Sequence, residues 1–126
     1  MGRRSRQRDR AERLVAPTTD YTDPEGNVLT LRGALSPATR RQYAEVAGGS
    51  PTNDFVVGAS QEDAWQRAVE FLFERLAVRW TIHEVPIEKQ KELLARYRFA
   101  SQDERRWIRD ALREHLADWF PDMRAP

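Results

Sequence analysis

The feature that most constrains the fold lies near the C-terminal end, where Ser101-Gln102-Asp103-Glu104 precedes an apolar-periodic run. Ser followed three residues later by Glu is a capping box: each side chain satisfies the other's backbone N–H in the first helical turn. Ile108, Ala111, Leu112, His115, Leu116 and Trp119 then fall on one stripe, and Pro121 stops the helix. A helix with one buried stripe needs other elements to cover it.

Three further helices are predicted. Ser60 is read as the cap of a central helix, with Glu62 and Asp63 at its positive end and Trp65, Ala68, Val69, Leu72 and Leu76 on its apolar face. Continued past Val78, that helix would turn Arg79 into the apolar face. An extended chain instead separates Val78, Trp80 and Ile82 from Arg79, Thr81 and His83, so the helix is ended near Ala77, with strand or helix left open for residues 78–82. Ser36-Pro37 starts a short helix carrying Tyr43, Val46 and Ala47, which Gly48-Gly49 ends. After Val85-Pro86, Ile87, Leu94 and Tyr97 define another helix reaching about Phe99.

Ahead of the helices, Asp23-Pro24-Glu25-Gly26 has the residues of a type I turn closing into a bulge. Thr19 to Thr22 is expected to pair across it with a strand in which Val28, Thr30 and Arg32 alternate with Leu29 and Leu31. Residues 48–54 read as a loop, and Phe55-Val56-Val57 as a short strand or an apolar anchor. The expected fold is therefore mainly α: about four helices with an N-terminal β-hairpin, in one domain over residues 18–126. Residues 1–17 are expected to form a disordered basic arm. Six Arg against Asp9 and Glu12 give residues 1–13 a charge of +4, so the rest of the chain, at +1 overall, carries −3.

Chemistry is narrowed mostly by failed spacing. The chain has no cysteine, which removes disulfides, thiolate metal sites and a cysteine nucleophile. No apolar run approaches the ~20 residues of a membrane span, and no signal peptide is read, so a cytoplasmic location without membrane contact is expected. A calcium loop counted from Asp23 would need Glu at its twelfth position, where Ala34 stands. His83-Glu84 starts like a zinc-protease helix, but Ile87 occupies the second ligand position. No metal and no cofactor are expected. His115 could act as a general base oriented by Asp118, or serve as a hydrogen-bonded core histidine; with no nucleophile nearby, the second reading is preferred.

Two features point to partners. On the last helix, Arg105, Arg106, Arg109 and Arg113 gather on one flank, and Asp103, Asp110, Glu114 and Asp118 on the other. Repelling i, i+4 arginines do not favour the helix itself. They could meet a charged partner, track phosphates, or pair with neighbouring helices. Phe71 lies off the central helix's apolar face, on the side of Ala64 and Val78, so either the hairpin or residues 55–57 cover it or it serves a homodimer or another protein.

The segments PEGNVLTLRGALSPATRRQY and LAVRWTIHEVPI, with a helix after each, give residues 20–95 an order of parts that resembles small tail assembly chaperones of tailed phages. The resemblance implies a non-enzymatic helical protein that binds other structural proteins, and it supplies no catalytic residues. The expectation is a non-enzymatic protein–protein interaction protein, adaptor or regulatory. Nucleic-acid binding through the arm and the last-helix arginines is the competing class.

Overall fold

The computed structural model describes residues 17–48 and 57–126. The chain forms β1 (Thr18–Thr22), β2 (Val28–Arg32), α1 (Pro37–Gly48), α2 (Val57–Leu76), β3 (Ala77–Ile82), β4 (Val85–Ile87), α3 (Gln90–Arg98) and α4 (Gln102–Trp119). The basic arm of residues 1–16 and the Phe55-Val56 anchor lie outside the described residues.

The first turn forms as its residues dictate. The Gly26 N–H donates to the Asp23 carbonyl at 3.0 Å and the Asp23 N–H to the Asn27 carbonyl at 2.9 Å, while Gly26 takes a φ of 88° that suits glycine. The Asp23 carboxylate also accepts from the amides of Glu25 and Asn27, so it serves the turn itself. β1 and β2 pair antiparallel, from Thr18 opposite Arg32 to Thr22 opposite Val28.

The hairpin does not stand alone. β3 adds antiparallel to β2 and β4 to β3, giving a four-stranded sheet in the order β1-β2-β3-β4. The mainly α expectation holds in part: among the described residues four helices and the hairpin are present, but the hairpin is half of a sheet on which the helices pack. α2 ends at Leu76 and residues 78–82 are strand, as Arg79 on an apolar face would require. Val78 is the extra residue of a bulge between the pairs Leu31–Ala77 and Thr30–Arg79.

The second turn, His83-Glu84, has φ of 49° and 67°. Two successive positive φ values make the type I′ loop that matches the twist of a two-residue hairpin. The Asn27 side chain accepts the His83 N–H at 3.0 Å and ties the two turns together.

Along each strand the alternation sorts the residues into two faces. Tyr21, Leu29, Leu31 and Trp80 are buried against the helices, and Thr18, Asp20, Thr22, Arg32 and Arg79 are exposed on the other face. The Phe73 ring of α2 meets Trp80 edge-on at 5.7 Å, the Arg96 guanidinium of α3 lies 5.0 Å over Trp80, and His115 of α4 meets Tyr21 edge-on. On α2, Ala68, Val69, Leu72 and Leu76 are buried as expected, joined by Ala64 and Phe73, while Trp65 is half-buried.

Three boundaries differ from expectation. α2 begins at Val57, which makes Ser60 an interior position; serine costs a helix interior only a few tenths of a kcal/mol, so it need not mark the start. Ile87 belongs to β4, and α3 buries Leu93 and Tyr97 while Leu94 stays half-exposed. Trp119, expected in the buried stripe, is 38% exposed, and Phe120 takes the interior position instead. The capping box of α4 is complete: the Glu104 N–H donates to Ser101 Oγ and the Ser101 N–H to Glu104 Oε1, both at 3.1 Å. Glu104 also accepts from Arg96 at 2.6 Å, joining α3 to α4. No helix among the described residues is long and apolar enough to cross a membrane.

Candidate functional site

The buried stripe of α4 decides where its sorted charges point. His115 is fully buried between the helix and the hairpin. One ring nitrogen, Nε2, lies 2.7 Å from the Arg32 carbonyl, which can only accept, so Nε2 carries the proton. Nδ1 therefore accepts from the Tyr21 hydroxyl at 2.9 Å. Burial pushes the imidazole below its usual pKa, against the opposing pulls of the Arg32 carbonyl and the Asp118 carboxylate. Both nitrogens are used in joining α4 to β1 and β2, the geometry of a core histidine.

One turn on, the Trp119 indole N–H donates to Thr19 Oγ1 at 3.0 Å, and its ring lies over Gly33. A Cβ on Gly33 would come within 2.7 Å of that ring, so any larger residue there would have to displace the indole.

With the stripe seated on the hairpin, the arginine flank faces α2. A groove of about 580 Å³ runs between α2 and α4, with Glu62, Asp63 and Glu70 opposite Arg105, Arg106 and Arg109. Arg105 also lies 5.4 Å over the Tyr97 ring and donates to the Arg98 carbonyl at 2.8 Å. Arg113 is exposed and does not line this groove. Three of the four arginines thus line one groove with carboxylates of the same chain, but among the described residues none forms an ion pair there: Glu70 pairs with Arg98 at 2.9 Å.

Phe71 is partly buried against the core. Its ring lies 6.3 Å from that of Tyr43 on α1, with the Arg75 guanidinium 5.3 Å over it. Its neighbour is thus a helix rather than the hairpin. Phe71→Glu would set a carboxylate on the core beside Tyr43, and we expect it to destabilise by about 1–3 kcal/mol. Denaturation read beside sedimentation checks this. An unchanged midpoint with loss of a dimer would mean that Phe71 serves an interface.

The C-terminal segment was missed in the sequence reading. Phe120 is buried under the Arg40 guanidinium at 5.1 Å, the Tyr43 hydroxyl donates to the Arg124 carbonyl, and Arg124 lies 5.3 Å over the Trp65 ring. Met123 packs on the core as well. The apolar residues Phe120 and Met123 around Pro121 were the available signal. Among the described residues, no three His, Asp or Glu side chains gather as a metal-binding group.

The acidic flank of α4 takes the other side. Glu114 and Asp118 lie close enough to Tyr21 on β1 that, after burial, their charges help push its phenol up to about 12. Comparison with protein-family models, curated proteins and solved structures returns no match to this chain.

Proposed function

We propose that the protein is a non-enzymatic interaction protein, an adaptor or regulator that binds another protein. The observation that supports this reading is the contrast between the two edges of its sheet. At β4 the two-residue turn makes Ile82 and Val85 a hydrogen-bonded pair, so the next residue, Pro86, turns its backbone outward. Proline has no N–H to offer there, and this edge is blunted. β1 has no such device over its five residues.

Nucleic-acid binding is the second reading, resting on the basic arm and the exposed Arg113. Against it, Arg105, Arg106 and Arg109 share their groove with Glu62, Asp63 and Glu70. Binding to structural proteins, as tail assembly chaperones do, is the narrower form of the first reading and rests on the sequence resemblance alone.

Affinity capture on the immobilised full-length chain from its native host, with and without nuclease, tests the proposal. A protein retained in stoichiometric amount after nuclease treatment is expected. Loss of every retained protein with nuclease, together with direct nucleic-acid binding that falls steeply as salt rises, would replace it with the second reading.

A further inference from the structure

The backbone parity of β1 is set at both ends. The Asp23 N–H bonds to the Asn27 carbonyl and the Gly33 N–H to the Pro17 carbonyl, and the register between them is unbroken. Residues 17, 19, 21 and 23 therefore turn their backbone groups toward β2, and Thr18, Asp20 and Thr22 turn theirs outward. Among the described residues these three have no backbone partner on the outer side. Thr and Tyr, which favour strands, make up most of β1, and it contains no proline, lysine or bulge.

Carboxylates flank this edge on both sides. Asp20 stands on the exposed face of the sheet, held by a 2.7 Å bond from the Thr30 hydroxyl. On the helix side, α4 is anchored to β1 through His115–Tyr21 and Trp119–Thr19, and its exposed Glu114 and Asp118 carry the charges that act on Tyr21. Arg105, Arg106 and Arg109 of the same helix are turned the opposite way, toward α2. Trp119 leaves part of its indole uncovered beside Thr19.

We propose that β1 is a strand-addition site for an extended, basic segment of a partner protein. The segment's main chain pairs with Thr18, Asp20 and Thr22, its basic side chains meet Asp20 on one face and Glu114 and Asp118 on the other, and an apolar side chain covers Trp119. A symmetric dimer through this edge fits poorly, because pairing β1 with the same strand of a second copy would bring two acidic edges together. This inference rests on the interaction reading and names its surface.

The probe is a labelled decapeptide of Arg-Arg-Val-Val repeats, which as a strand carries Arg and Val on both faces, titrated into the full-length chain by fluorescence anisotropy, with amide exchange followed by NMR. The expected result is saturable binding that slows exchange at Thr18, Asp20 and Thr22 and is absent when Glu replaces every Arg. Thr22→Pro removes an outward N–H without touching the β1–β2 ladder. Glu114→Lys combined with Asp118→Lys reverses exposed charges that no other described element needs. Each change should weaken binding by about tenfold, the equivalent of one hydrogen bond in Thr22→Pro and of the lost charge attraction in the Lys pair. Binding that leaves the three amides unprotected, or that survives the Lys pair unchanged, overturns the proposal. If a partner captured by the native chain is retained equally by both variants, the edge assignment falls while the interaction reading stands; if no protein is captured at all, the reading itself falls.

Discussion

Phe73→Ala is expected to destabilise the protein by about 3–5 kcal/mol, the range for deleting a buried aromatic ring. Phe73 is completely buried at the junction of three elements. Its ring stacks on Tyr97 of α3 at 4.9 Å and meets Trp80 of β3 edge-on, so its loss removes the contact by which α2 holds both. Aromatic pairs of this geometry contribute beyond the area they bury. Urea denaturation should show the midpoint falling with an unchanged slope. Leu94→Ala, at a half-exposed position one residue beyond the buried Leu93, should cost much less than Leu93→Ala. Equal costs at the two leucines would mean that α3 is rotated from the orientation described.

The second large effect is a dependence on pH. His115 is neutral in the fold because burial disfavours its charged form, while in the unfolded chain an ordinary histidine titrates near ~6.5. As pH falls through that value, the unfolded chain takes up a proton that the folded chain does not. Stability from this group is therefore complete above about pH 6.5 and is lost as the pH falls toward the folded-state pKa, with a slope of at most about 1.4 kcal/mol per pH unit. Protonation of Nδ1 would also remove the acceptor now used by the Tyr21 hydroxyl. His115→Gln can keep a donor toward the Arg32 carbonyl and an acceptor toward Tyr21. Its denaturation free energy should lose the component of the slope between pH 6.5 and 5 that the native chain shows. Identical slopes in the two proteins would mean that His115 is protonated inside the fold.

Local signals in the sequence were legible where the chain settles its own backbone. The Asp-Pro-Glu-Gly turn, the Ser101–Glu104 box, the Pro37 helix start and the end of α2 before Arg79 all depend on a few adjacent residues. β4 was not legible, for a specific reason: His83-Glu84 lacks the Asn-Gly chemistry that usually announces a type I′ turn, and Pro86 reads as a break or a helix start. Only as an edge position with its backbone turned outward does Pro86 fit a strand, and that depends on β3 lying beside it. Without β4, the joining of β3 to the hairpin was also hidden, and the fold read as mainly α.

Packing choices were lost in a similar way. Phe73 lies off the stripe of Trp65, Ala68, Val69, Leu72 and Leu76, and it is buried because α2 is touched from several sides. Trp119 follows the stripe of α4 but lies at its rim, and Phe120 turns inward beneath Arg40. The sorting of charges on α4 could be read from the sequence, but the direction of each flank could not. That direction follows from His115 and Trp119 seating the helix on β1, which turns Arg105, Arg106 and Arg109 to α2 and Glu114 and Asp118 toward β1.

Among the described residues no strand pairs with the outer side of β1, and amide hydrogen exchange of the full-length native chain without any partner shows whether that edge is open. Thr19 and Tyr21, bonded to β2, should exchange slowly, and Thr18, Asp20 and Thr22 quickly, an alternation of period two. Uniform protection of all five amides would show that the edge is already covered and would contradict the account.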